Sequence, residues 1–191
     1  MSPRQSDARQ RVVAAAAEML ARHGLNATSV REMTKRAEAP LGSIYHHFPG
    51  GKQQVVVEAV QLAGARVSRD LDRHLQAGGM AGVRGFLAMW RAILVRSDFR
   101  IGCPVMAAVA EEPIDDVAEA ALEAAAGVFD DWAAQIAAAL AAQGRDPASA
   151  SSLAILVIAS VEGAIVLCRA QRSIAPFDTV AGQIERLIVQ A

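Results

Sequence analysis

Gly42-Ser43-Ile44-Tyr45-His46-His47-Phe48-Pro49-Gly50-Gly51-Lys52 stands just after a short helix signal that begins at Ser29, and the two are read together. Upstream, Val13, Ala16, Ala17 and Leu20 fall at i, i+3, i+4 and i+7, with Arg9, Arg11 and Glu18 off that stripe, which predicts an amphipathic helix over residues 7–23. Gly24 suits the left-handed residue past a helix end, and Leu25 the apolar contact that follows it. A turn is expected over 24–28. Ser29-Val30-Arg31-Glu32 matches a capping box, in which the serine hydroxyl and the glutamate each satisfy a backbone N–H of the first turn. That starts a second helix, running to about residue 37. Pro40 falls at the first turn of a third helix carrying 41–47, where its fixed φ and missing N–H do no harm. Two short helices joined by a tight turn make a helix-turn-helix.

The ending small residue, aliphatic, Tyr, any, His, Phe, here Ser43-Ile44-Tyr45-His46-His47-Phe48, resembles the signature of TetR-type bacterial transcriptional regulators. The likeness extends to Pro49-Gly50-Gly51-Lys52 and back through Thr28-Ser29-Val30-Arg31-Glu32-Met33, about the first third of the chain. Further on, Gly102-Cys103-Pro104-Val105 and Glu162-Gly163-Ala164 look like the multidrug- and flavonoid-responsive repressors of the LmrA/YxaF kind. Two departures stand out. The family often has glycine where this chain has Glu38, which would cost on the order of 1 kcal/mol if Glu38 takes positive φ. It often has a hydroxyl cap where this chain has Pro40.

The 191 residues are 53% hydrophobic, with few aromatics and much alanine. Helical periodicity recurs and alternating strand runs are almost absent, so the class is all-α. A net charge of −1 hides an asymmetry. Residues 1–52 hold eight bases (Arg4, Arg9, Arg11, Arg22, Arg31, Lys35, Arg36, Lys52) and four acids (Asp7, Glu18, Glu32, Glu38). The rest holds eleven bases and sixteen acids. A basic head on an acidic body suits a protein that meets phosphate at one end only. Cys103 and Cys168 have no ligand-spaced partners and are expected as free thiols in a reducing cytoplasm. No signal sequence opens the chain, and the apolar stretch 153–168 is broken by Ser160 and Glu162, so neither secretion nor a membrane span is expected.

About nine helices are expected. Residues 5–51 form the DNA-binding domain, and a linking helix spans 52–75, with Val56, Val60, Ala63, Val67 and Leu71 on one face. Residues 76–191 form a helical bundle for ligand binding and dimerisation. Gln76-Ala77-Gly78-Gly79 breaks the linking helix. A fifth helix runs over 82–96, a loop over 98–104 and a short helix over 105–110. Asp115 or Asp116 caps a long helix to 143, which Gly144 stops. Asp146 and Pro147 open an apolar helix to about 172, and a last helix begins near 178.

In a helix-turn-helix the recognition helix enters the major groove. By position, Leu41, Gly42, Ser43 and His46 are the candidates for base contact, with Leu41 suited to a thymine methyl. The resemblance implies that Tyr45, His47 and Lys52 hold phosphates, with Thr28, Ser29 and Arg31 doing so at the second helix's start. Packing alone is the other reading of Tyr45 and His47. Ile44 and Phe48 are expected as core. No strong bidentate base reader lies in 41–47, so specificity leans on DNA shape, or on Arg31 or Lys35 reaching a base.

In the bundle, Phe86, Met89, Trp90, Cys103, Met106, Phe129, Trp132, Ile136 and Glu162 are candidate cavity residues, since bundle interiors commonly hold ligands. Glu162 in an apolar run needs a partner such as Arg91 or Arg169, a ligand donor, or a place in the dimer seam. Val180, Ile184, Leu187 and Ile188 form a stripe assigned to the dimer interface. Cys103 lacks a base, and His46 and His47 are adjacent, hence on different helix faces. No catalytic residue, metal or cofactor is therefore expected. What the resemblance implies is a homodimeric regulator, a repressor that leaves a palindromic operator on binding a small apolar or aromatic effector. A DNA-binding scaffold answering to a protein partner, or to no ligand, is the alternative.

Overall fold

The computed structural model describes residues 3–76 and 79–190, with side chains for most of them, and these residues form nine helices and no strand. They are α1 (Pro3–His23), α2 (Val30–Arg36), α3 (Ser43–His47), α4 (Gly51–Leu75), α5 (Gly79–Arg96), α6 (Pro104–Val109), α7 (Asp116–Ala141), α8 (Pro147–Gln171) and α9 (Ala175–Gln190). The expected end of the linking helix is met at Leu75, although Ala77 and Gly78 lie outside the described residues. Asp115 caps α7 by accepting from the Ala118 N–H, and Asp146 caps α8 by accepting from Ser149, with Pro147 in the first turn.

Four helix starts differ from the sequence reading by more than one residue, two of them in that α1 begins at Pro3 rather than at residue 7 and α5 at Gly79 rather than at 82. The third helix begins at Ser43, because Leu41 and Gly42 form a turn closed by the Ile44 N–H on the Leu41 carbonyl at 3.3 Å. Pro40 therefore lies in the link rather than at the first helical turn. The last helix begins at Ala175, three residues before Asp178, with Ser173 Oγ accepting from the Ala175 N–H. Pro176 in the first turn was the signal for that earlier start.

The chain packs as two compact units, Met1–Gly64 with Cys103–Val128, and Ala65–Gly102 with Phe129–Ala191. The first unit is thus larger than the DNA-binding segment read from the sequence, since it takes in α6 and the first half of α7. Within it α1 packs against α2 and α6. The predicted stripe Val13, Ala16, Ala17 and Leu20 is buried, together with Met33, Ile44, Phe48 and Val56. In the second unit α8 packs on α9, and both meet α5. Its core holds Phe86, Leu94, Trp132, Ile136, Phe177 and Ile184. The α4 stripe read from the sequence is buried along its length, Val56, Val60 and Ala63 in the first unit and Val67 and Leu71 in the second.

Candidate nucleic-acid interface and effector residues

Ser29 sits in extended backbone (φ −111°, ψ 150°), and its hydroxyl accepts from the Glu32 N–H at 3.2 Å, starting α2. After α2 the chain turns through Glu38, at φ 50°. A non-glycine residue in that left-handed region stores strain of about 1 kcal/mol, the cost anticipated where the family favours glycine. The turn is held by the Ala39 N–H on the Thr34 carbonyl at 2.9 Å and by Arg11, whose Nε donates to the Ala37 carbonyl at 3.0 Å.

At five residues, α3 is too short to stand by itself, and no side chain caps its Gly42 start. Two fully buried side chains, Ile44 and Phe48, anchor it, as their spacing predicts. With those inward, Tyr45 is 69% exposed and Leu41 52% exposed. Gly42 and His46 are also exposed, whereas His47 and Lys52 are half-buried. Ser43 opens the helix, but its side chain lies outside the described residues. Ser29 and Arg31 are exposed at the start of α2. Thr28 is not: it is 1% exposed, and its hydroxyl donates to the Gly24 carbonyl at 2.7 Å. Its side chain builds the turn, which departs from a phosphate-holding role for that hydroxyl.

Sequence reasoning missed the support behind α3. The Arg9 guanidinium lies 5.0 Å from the Phe48 ring centre and pairs with Glu58. Glu58 also accepts from Gln54 Nε2 at 3.0 Å, and Gln54 Oε1 accepts from the Gly50 N–H at 3.1 Å. Gln54 and Glu58, four apart on α4, were the available signal. Arg9, Arg22 and Arg36 are committed to Glu58 and Glu18, so their charge is partly spent inside the unit. Arg31, Lys35 and Lys52 have no ion pair among the described residues.

Among the bundle candidates, Cys103 and Met106 belong to the first unit and the other seven to the second. Cys103 is buried and caps α6, its Sγ accepting from the Met106 N–H at 3.5 Å. Trp132 meets Phe86 and Phe129 edge to face, at 6.4 and 5.6 Å between ring centres. Trp90, Ile136 and Glu162 are buried, and Met89 is half-buried. Among the described residues, the Trp90 Nε1 and Gln135 Oε1 atoms are buried without a hydrogen-bond partner. Arg91, one partner considered for Glu162, is engaged instead by Asp178 through two hydrogen bonds of 2.8 and 3.1 Å. A groove of about 660 Å³ between α5 and α9 is lined by Leu87, Phe177 and charged side chains, and by none of the nine candidates. Burial holds the Cys168 thiol above its ordinary pKa, which suits an inert core cysteine.

The stripe at the end of the chain divides. Ile184 and Ile188 are buried within their own unit and Val180 is half-buried, while Leu187 is 44% exposed.

A capped α2, an anchored α3 with outward side chains and a basic rim define a helix-turn-helix DNA-binding regulator. Residues 12–59 match the family described as bacterial regulatory proteins, tetR family. Residues 79–183 match the C-terminal domain of LmrA/YxaF-like transcriptional regulators. The chain is 35% identical over 184 residues to the uncharacterised HTH-type transcriptional regulator Rv0196 of Mycobacterium tuberculosis, covering 95% of this chain and 94% of that one. It is 26% identical over 184 residues to the HTH-type transcriptional regulator LmrA of Bacillus subtilis, covering 95% and 97%. The crystal structure of regulatory protein TetR from Rhodobacter sphaeroides superposes with a TM-score of 0.80 at 26% identity, over 94% of this chain and 97% of that one. The chain belongs to the TetR family of bacterial transcriptional regulators, with an LmrA/YxaF-like C-terminal domain, and is not an enzyme.

Proposed function

We propose that the chain acts in the cytoplasm as a homodimeric repressor that holds a palindromic operator and leaves it on binding a small apolar or aromatic effector. The observation that carries the dimer is the outer face of α8. This helix has 25 residues and a mean hydropathy of 2.2 over its most apolar window, enough to cross a membrane by length and composition, yet only 44% of that window is buried in the chain's own fold. Ile155, Leu156, Val166 and Leu167 remain 45–62% exposed, with Ala159 and Gly163 between them on one stripe. A β-carbon on Gly163 would meet nothing within 4 Å, so the glycine answers no need inside the chain, although it costs about 1 kcal/mol of helix propensity. Close approach of a second α8 across a two-fold axis gives it a purpose. Leu187 of α9 extends the stripe in this reading, while Ile184 and Ile188 support it from beneath.

On the DNA side, Leu41, Gly42, Ser43 and His46 face bases and Tyr45, His47, Lys52, Ser29 and Arg31 hold phosphates in this proposal. The effector is assigned to the aromatic interior around Phe86, Trp90, Phe129, Trp132 and Ile136. The orphaned Trp90 N–H and Gln135 oxygen support that assignment, because buried polar atoms in native cores are almost always satisfied. A ligand that prefers one bundle arrangement shifts the spacing of the two heads away from the roughly 34–36 Å of successive half-sites.

Selection of duplexes from a random pool tests the operator. With Arg31 and Lys52 contacting phosphate in each head, four cationic contacts per dimer give a slope of log affinity on log salt of about −4. Leu187→Glu is expected to sediment as a helical monomer that binds the selected duplex far more weakly. A fully dimeric variant would place α9 outside the seam. A compound that quenches tryptophan fluorescence, raises the melting temperature and releases the duplex would establish the effector.

A further inference from the structure

The turn between α1 and α2 is gripped by a residue from far outside the helix-turn-helix. Gly24, at φ 82°, leaves the next two amides turned toward one carboxylate. The Leu25 N–H donates to Glu111 Oε1 at 3.1 Å and the Asn26 N–H to Glu111 Oε2 at 3.0 Å. Successive backbone N–H groups beside a left-handed residue make a concave anion seat, and here the chain's own side chain fills it. A β-carbon built on Gly24 would come within 2.3 Å of Glu111 Oε1, so the glycine is required both by its φ and by the approach of the carboxylate.

From that seat a run of hydrogen bonds leads to the first residues of α2. The Thr28 N–H donates to the Leu25 carbonyl at 3.0 Å, its hydroxyl donates to the Gly24 carbonyl, and Ser29 caps the helix in the next position. On the other side, Glu111 follows α6, which packs on α1, and precedes Asp115, the cap of α7. A second tie lies close by in sequence, with Gln53 Nε2 of α4 donating to the Asp116 carbonyl at 3.3 Å. The α6–α7 elbow therefore grips the very turn that presents the first residues of α2.

We propose that Glu111 is a positioning residue for DNA binding: its carboxylate sets the α1–α2 turn, and through Thr28 and Ser29 it sets the placement of α2 in the helix-turn-helix. The inference rests on the family's DNA-binding activity, not on the effector or the dimer seam.

The test is Glu111→Gln, which keeps the size but can accept only one of the two N–H groups while turning its own NH2 on the other. Affinity for the selected operator is expected to fall roughly tenfold, about the worth of one hydrogen bond to a charged group, at a temperature far below melting. Hydrogen exchange at the Leu25 and Asn26 amides is expected to speed up while Val56 and Val60 of α4 keep their protection. That second readout needs no DNA, and a merely stabilising role would move all four amides together. In a double-mutant cycle, Gly24→Ala should cost less in the Glu111→Ala background than alone, because the clash is gone. Operator affinity within twofold of the parent, or unchanged exchange at Leu25 and Asn26, would overturn the proposal.

Discussion

In the DNA-binding unit α2 and α3 have seven and five residues, below the length at which an isolated helix persists in water, whereas α8 in the second unit runs for 25. The short pair is anchored by Met33, Ile44 and Phe48 and set in direction by discrete polar devices: the Ser29 cap, the Arg11 bond to Ala37, the Glu111 clasp and the Arg9–Glu58–Gln54 network behind Phe48. The long helix is held by volume. Its inner face of Ala154, Val157, Ile158, Val161, Ile165 and Cys168 is buried, and its outer face is nearly as apolar. Polar devices define a geometry that DNA can read, because each bond has a direction. Apolar area has none, so it stabilises the second unit without saying which face meets what.

The comparison is tested most strongly where volume should matter most. Trp132 is fully buried against Phe86 and Phe129. Trp132→Ala is expected to cost about 3–5 kcal/mol of stability by urea unfolding, the usual range for deleting a buried aromatic. A loss below about 1 kcal/mol would mean that the second unit is loosely packed and that volume is not what holds it.

The same contrast sets what could be read in the sequence. Helix starts were legible where a hydroxyl or carboxylate cap marks them, Ser29 for α2, Asp146 with Pro147 for α8, and Asp115, one of two named candidates, for α7, but not at α6, whose cap is the Cys103 sulfur. The start of α3 was not legible either, because Gly42 offers no cap and Pro40 supplied a false one. Ile44 and Phe48 were legible as core because a single helical turn leaves few choices, whereas at Tyr45, 69% exposed, the sequence is compatible with phosphate contact and with packing. The division of the end stripe, with Ile184 inward and Leu187 outward, was hidden by apolar residues all round α8, against which α9 packs. Glu111 was invisible because its partners are backbone amides 86 and 85 positions away, and a backbone amide has no sequence signature.

A smaller effect is expected from the α2 cap. Ser29→Ala removes the acceptor of the Glu32 N–H and should cost about 1 kcal/mol. If polar devices set the reading geometry, operator affinity should fall as well, even at temperatures where the variant is fully folded. Undiminished binding by a destabilised variant would separate the cap's structural role from its positioning role.

Glu38 provides a change of opposite sign. At φ 50° it is strained, and its side chain is exposed. Glu38→Gly relieves the backbone at the expense of a more flexible unfolded chain, for an expected net gain of about 0.5 kcal/mol in thermal or urea unfolding. A loss of stability instead would mean that the glutamate side chain has a role in the turn beyond its backbone.

The smallest effect concerns Glu18, which joins α1 to α2. It accepts from Arg22 Nε and pairs with Arg36 Nη1, both at 2.9 Å. The Arg22 hydrogen bond, opposed by partial burial and reinforced by the charge of Arg36, holds its carboxyl below the ordinary value. A carboxyl whose folded pKa is depressed contributes stability that is present above its unfolded pKa and disappears as pH falls through the folded one. The side chain is 45% exposed, so solvent and salt screen the pair and the contribution is about 0.5 kcal/mol. Glu18→Gln should therefore be slightly less stable than the parent at neutral pH. The gap should close as the pH is taken below about 4, and narrow with added salt. A gap that survives at low pH would show that Glu18 acts through packing, and that the head relies on volume at this point as the second unit does.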